Sequence, residues 1–358
     1  MNGKRAIAAV LAVACVSACF IIAENRRTDR TGRPAPTAVC AADGSRDQDD
    51  MCIWVHPTDR AGSTVITADK AANRVFVYDL AGKVLQSVSV RKPGNIDLRY
   101  GFPLAGKTVD IVTLNRRSSD AIVVFKVDPA TRRIERVDNG KIATGPNYGG
   151  TLFRSPKTGK VYFVTTAKGG TCEQVELADD GRGKVKGTKV RTFQTGYSEG
   201  AVGDDRAGTI YVAQERKGVW AIGGEPTDPA TPKLVIRVGA NGLKGDVEGL
   251  AIYRRPGGQG YLIVSNQGPS NFKVYHLAAP HTYVGTFTIA GASDTDGIAV
   301  TNADLSGRFA RGLFACHTNS LRGHKGCPVL LTPWSDIAAS VNPQLDVHTA
   351  HDSRKDDR

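Results

Sequence analysis

From Asp43 onward the chain is a succession of short apolar runs that alternate with polar residues or are rich in β-branched side chains. Thr64–Thr67, Arg74–Tyr78, Val109–Leu114 and Ala121–Val127 come first; Lys160–Thr165, Thr209–Ala213, Gly218–Ile222, Gly260–Ser265 and Phe272–His276 follow. Gly, Asp, Asn or Pro separates nearly every pair, and few segments keep a helical period over three turns. Short runs bounded by turn residues predict an all-β sandwich, barrel or propeller. Length decides among them: about 300 residues of short strands exceed one sandwich core, whereas radial repetition of four-stranded blades holds that length in one domain. A local unit also recurs, an acidic turn followed by Gly-x-hydrophobic-Tyr-hydrophobic and then a second strand. Asp205–Val212, Lys157–Val164 and Pro256–Ile263 carry it. Its spacing, about 50 residues, is a blade period. The predicted fold is a six-bladed β-propeller over residues 40–346.

The two ends read differently. Lys4 and Arg5 precede the 18-residue apolar run Ala6–Ala23, so residues 1–23 read as a secretory signal. Val16-Ser17-Ala18-Cys19 resembles a bacterial lipoprotein cleavage box, and lipid on Cys19 would anchor the chain to a membrane. Ordinary cleavage with release, and retention as an anchor helix of near-minimal spanning length, stand as alternatives. All three place the chain outside the cell or in its envelope. Residues 24–39 are a basic, Pro-containing linker, and residues 347–358 a charged, solvated tail.

Composition adds exclusions. With 41% apolar and 23% charged residues the chain is an ordinary globular sequence, neither disordered nor fibrous. The net charge of +12 is spread along the chain and into both tails, and no nucleic-acid module accompanies it, so nucleic acid is not an expected partner. A monomer is expected. Two of the seven cysteines, Cys15 and Cys19, fall in the signal. Export permits disulfides among the rest; Cys316 with Cys327 and Cys40 with Cys52 are closest in sequence, Cys172 is left over, and spacing leaves the pairing open. No CxxC pair or His spacing suggests a zinc ribbon, and His56, His276, His281, His317 and His324 read as surface or capping residues. Gly101 to Thr108 fits the phosphate-loop pattern GxxxxGK[ST], but a strand and not a helix follows it, so Gly106-Lys107 reads as a hairpin turn.

The informative constellation is acidic. Asp49-Asp50, Asn95-Ile96-Asp97, Glu199-Gly200, Asp246-Val247-Glu248-Gly249 and Asp294-Thr295-Asp296-Gly297 precede or open strands, while Glu215 and Gln267 close them. One such residue is ordinary turn chemistry. Recurrence at one point of several blades gathers carboxylates on one face, as a hard cation requires. Lys70, Arg116, Arg117 and Lys168 each end or follow a strand and suit a polyanionic substrate such as a phosphate ester.

These segments resemble the β-propeller phytases, the calcium-dependent bacterial phytate hydrolases. Asp49–Pro57, Asn95–Leu104, Glu199–Trp220, Asp246–Tyr253, Gly260–Gly268 and Ser293–Val300 carry the resemblance, in family order, from about residue 43 to 335. It implies several calcium ions at one end of the channel, a calcium–phytate substrate, and attack on a bound phosphate by calcium-bridged water. It places Glu199, Glu215, Asp246, Glu248, Gln267 and Tyr148 at active-site calcium, and Lys70, Lys168 and either Arg116 or Arg117 at phosphate. Asp49 and Asp296 lie in matched acidic segments and are further metal candidates. Asp50, Met51 and Ile96 match a structural calcium site, the last two through backbone carbonyls. Glu199, Glu215 and Glu248 with the four basic residues are the expected catalytic set. The sequence departs from the family at Met51, Ala71, Gln214 and Ala299, which bears on a second phosphate subsite and one structural calcium. A non-catalytic propeller that binds calcium or a phosphorylated polymer is the second expectation; a lactonase-like hydrolase with one central metal is the third.

Overall fold

The structure is a computed structural model and describes residues 27–349 and 353–356. The signal segment, with Cys15 and Cys19, lies outside the described residues. Strand β1 (Ala38–Cys40) belongs to the last of six four-stranded antiparallel sheets. The first blade is β2 (Gln48–Trp54), β3 (Thr64–Asp69), β4 (Arg74–Asp79) and β5 (Val84–Ser89). The second is β6 (Pro93–Leu104), β7 (Lys107–Arg116), β8 (Ala121–Asp128) and β9 (Arg133–Arg136). The third is β10 (Gly149–Arg154), β11 (Val161–Thr166), β12 (Thr171–Asp179) and β13 (Val185–Gln194). The fourth is β14 (Ser198–Asp204), β15 (Thr209–Gln214), β16 (Gly218–Gly223) and β17 (Lys233–Arg237). The fifth is β18 (Val247–Arg254), β19 (Gly260–Asn266), β20 (Asn271–His276) and β21 (Tyr283–Phe287). The sixth joins β22 (Ile298–Thr301), β23 (Leu313–His317) and β24 (Val329–Pro333) to β1.

The first strands of successive blades touch in a closed ring, with β22 returning to β2. Apolar faces of neighbouring blades pack together: Ile66, Val77, Leu114, Val123, Ala315 and Leu331, from three blades, share one core. The chain closes the ring with its own start, because Ala38 and Cys40 pair with Leu331 and Val329. The linker expected to run to residue 39 therefore ends in a strand; three residues are too few to show a period.

The tail differs from expectation as well. Helix α1 (Trp334–Ser340) seats Trp334 on Tyr253 with ring centroids 4.3 Å apart. In the four-residue α2 (Ser353–Asp356), Arg354 Nη1 donates to Val55 O at 2.9 Å and to Asp110 Oδ2 at 2.7 Å, beneath the Tyr100 ring. A guanidinium with these partners fastens the expected solvated tail to the ring. Ala105 and Gly106, with φ of +52° and +70°, join β6 to β7 in a two-residue hairpin, so the phosphate-loop pattern is a turn. All five described cysteines are free thiols; Cys40, Cys52, Cys172 and Cys316 are buried.

Candidate active site

The first strand of four blades carries an irregularity near its start: at Gln48/Asp50, Pro93/Ile96, Ser198/Ala201 and Val247/Leu250. Such bulges re-aim side chains. Asp49, Glu199 and Glu248 occupy three of them. The glycines that follow Glu199, Glu248 and Asp296 have a packing reason. A Cβ at Gly249 would stand 2.5 Å from Asp296 O, and one at Gly297 would stand 2.6 Å from Asp49 O. Gly149 and Gly200 lie likewise against the carbonyls of Glu199 and Glu248. Each acidic residue thus gives its carbonyl to the preceding blade's glycine and leaves its carboxylate on the rim. The second strand of each blade adds a residue at its far end: Lys70, Arg117, Lys168, Glu215, Gln267 and His317.

Two carboxylate groups result. One oxygen from each of Glu199, Glu215 and Glu248 lies within 4.8 Å of the others, and the same holds for Asp47, Asp49 and Asp296. Arg117 joins the groups, with Nη2 donating to Asp49 Oδ2 at 3.0 Å and also to Glu199. Lys70 pairs with Asp49 and lies 3.3 Å from Asp47 Oδ2 and 4.0 Å from Asp296 Oδ2. The Tyr148 ring carries the Arg117 guanidinium at 4.5 Å and Lys168 Nζ at 4.3 Å, with the half-exposed Tyr197 edge-on at 5.7 Å. The Gln267 amide donates to the Asp296 carboxylate.

Crowding shows in the protonation equilibria. Desolvation, then the charge of Asp49, raises Glu199 to about 7 and Asp296 to about 9. Desolvation with the neighbouring carboxylates holds Glu248 well above its ordinary value and raises Glu215. Asp49 is lowered against the opposing effect of its own burial, because Arg117 and Lys70 sit on it. A hard cation fits this donor set: all ligand atoms are oxygens, and the groups hold six carboxylates against the basic Lys70, Arg117 and Lys168.

The expected residues separate on the structure. Lys70, Arg117, Tyr148, Glu199, Glu215, Glu248, Gln267, Asp49 and Asp296 come together. Arg116 turns away, its Nε donating to Ser119 Oγ at 2.6 Å; the choice between the two arginines falls to Arg117. Asp246 is exposed, its carbonyl accepting the Gln267 N–H at 3.2 Å. Asp50 lies on the channel wall with Oδ2 accepting the Ile96 N–H at 3.0 Å, and Met51 is buried beside it. The channel cavity of about 190 Å³ is lined by all six first strands. Of the departures, Ala71 is an exposed turn residue, Gln214 accepts the Trp220 indole N–H at 2.8 Å, and Ala299 lines the channel. Asp47 and the buried His317 were missed. Asp47 lies two residues before the acidic segment; His317, expected as a surface or capping residue, is buried and accepts the Asp296 N–H, and nothing in the sequence signals it as a ligand.

A six-bladed ring whose rim combines clustered carboxylates with phosphate-suited cations defines a class, the propeller hydrolases of phosphate monoesters. The chain belongs to the phytase family, which matches it over residues 4–358. It is 35% identical over 332 residues to a 3-phytase of Bacillus subtilis, covering 88% of this chain and 86% of that protein. Among solved structures, the calcium-binding protein regucalcin from Agrobacterium tumefaciens shares the fold at 13% identity, with a TM-score of 0.52 over 84% of this chain and 96% of that one.

Proposed function

We propose that this phytase hydrolyses phytate with calcium held at the rim, and that it does so outside the cytoplasm. The observation that carries the calcium reading is the pair of three-carboxylate groups, bridged by Arg117, with Lys70 on the aspartate group. Glu199, Glu215 and Glu248 would hold one part of the metal, and Asp49 with Asp296 the other. Bound cations would neutralise phosphate charge and lower the pKa of water at the site. The chain's own residues supply the rest. Arg117 offers a planar fork suited to phosphate, fixed by two carboxylates and the Tyr148 face. Lys168 is the exposed cation on the same ring and the natural first contact for a polyanion. At about 190 Å³ the channel falls below the usual ~300–1,000 Å³ of a ligand pocket, so the substrate belongs on the rim. Export is supported by Lys4, Arg5 and the apolar Ala6–Ala23, outside the described residues; lipid at Cys19, release, and retention as an anchor helix are its three outcomes.

Phosphate release from calcium–phytate, measured with and without chelator, tests the reading. Activity is expected to vanish on chelation and return with calcium, and Glu199→Gln is expected to lower kcat/KM at least about 100-fold. Undiminished release in chelator would overturn the calcium assignment. Calcium binding without release from any phosphate ester would instead establish the non-catalytic alternative.

A further inference from the structure

We propose that Asp47, His317 and Cys327 form a second kind of metal site, one for a zinc-class ion, beside the carboxylate rim. One donor atom from each, an oxygen, an imidazole nitrogen and a sulfur, lies within 4.8 Å of the other two. Ligands of a tetrahedral zinc ion stand about 3.3–3.8 Å apart, so a small closure of the half-exposed Cys327 completes three of four positions. Calcium takes oxygen ligands; nitrogen and sulfur select softer ions.

The backbone holds the three residues in place. The Cys327 N–H donates to Arg46 O at 3.2 Å and its carbonyl accepts from Gln48 N at 3.3 Å, bracketing Asp47. Asp47 divides its oxygens: Oδ2 faces Lys70, while Oδ1 lies 3.7 Å from His317 Nε2. His317 supplies the independent sign of a ligand. Its residue is only 2% exposed, and Nε2 is a buried nitrogen without a hydrogen-bond partner, 3.7 Å from Asp47 Oδ1. Buried polar atoms are seldom left so. The other ring nitrogen, Nδ1, accepts the Asp296 N–H at 3.2 Å and lies 3.5 Å from Asp296 Oδ2. Binding at Nε2 would move the ring proton to Nδ1, which would give up the Asp296 N–H and turn its own N–H to the Asp296 carboxylate, and would release the Cys327 thiol proton to solvent. Partly exposed Cys327 is the way in; its Sγ now rests 3.3 Å from Asn319 O.

The test uses the full protein saturated with calcium and titrated with cobalt(II), then zinc(II). One cobalt per chain is expected, with a sulfur-to-cobalt charge-transfer band that one equivalent of zinc abolishes. Cys327→Ser, at a half-exposed position, is expected to lose the band and weaken zinc binding at least tenfold while keeping the wild-type circular dichroism. His317→Gln should weaken zinc comparably. No band in the wild type at saturating cobalt, or unchanged zinc affinity in Cys327→Ser, overturns the site. Phosphate release is measured separately, so failure here is distinguishable from failure of the calcium reading.

Discussion

Glu199 sits at a bulge, and the consequence for a single carboxyl is a conflict between location and charge. It is desolvated, faces Asp49, and is relieved only in part by Arg117 and Tyr148. With a folded pKa near 7, it retains a proton that the unfolded chain gives up about 2.5 pH units lower; Asp296, near 9, does so over a wider span. The folded state then binds more protons, so these two groups make stability fall as pH rises. His317, lowered to about 4, acts the other way below about 6.5. The metal-free melting temperature is therefore expected to fall between about pH 6.5 and 9, and saturating calcium to flatten that slope, because a cation favours the ionised carboxylates. Differential scanning fluorimetry in chelator and in calcium checks it; equal slopes would remove calcium from this cluster. At this scale the sequence was half legible. Acidic residues beside glycine stood out, but Arg116 and Arg117 differ only in which way a strand end faces. Asp47, His317 and Cys327 are neighbours only because the first and last strands share a blade.

The repeated element, in the fourth to sixth blades, is an acid and a glycine at the start of the first strand. Its glycine is not a hinge. It makes room for the carbonyl of the next blade, and at Gly249 and Gly297 its N–H donates to that carbonyl at 3.1 and 2.9 Å. Gly249→Ala puts a methyl 2.5 Å from Asp296 O, so the fifth and sixth blades must part. A loss of about 1–3 kcal/mol is expected by denaturant titration, with weakened calcium binding because Glu248 and Asp296 move with the blades. An unchanged midpoint would show that the contact relaxes freely. This element was legible because packing and chemistry require adjacent residues. The bulges were not, since an extra residue in one strand shows only against its partner.

At the scale of the molecule, composition, run length and the spacing of the Gly-x-hydrophobic-Tyr units pointed to a ring of six blades, and six are present. The ends escaped notice because their contacts involve few residues: three in β1 and the Arg354 contacts at the tail. Removing the chain through Cys40 strips the outer strand from β24 and takes away Cys40 O, the acceptor of the Gln48 side chain at 2.8 Å. The melting temperature should drop by at least about 5 °C, and the bared β24 edge should yield oligomers in sedimentation. A monomer of unchanged stability would make β1 dispensable. The same strand orders events in time. Blades one to five can each assemble from consecutive residues as the chain emerges, but the sixth waits for Val329–Pro333 to meet Ala38–Cys40. Closing a loop of that length costs about 5 kcal/mol in chain entropy if nothing intervenes. Prior formation of five blades shortens the gap the ends must bridge, so ring closure is the natural last step. A chain interrupted anywhere before residue 329 leaves the first strand with nothing to pair.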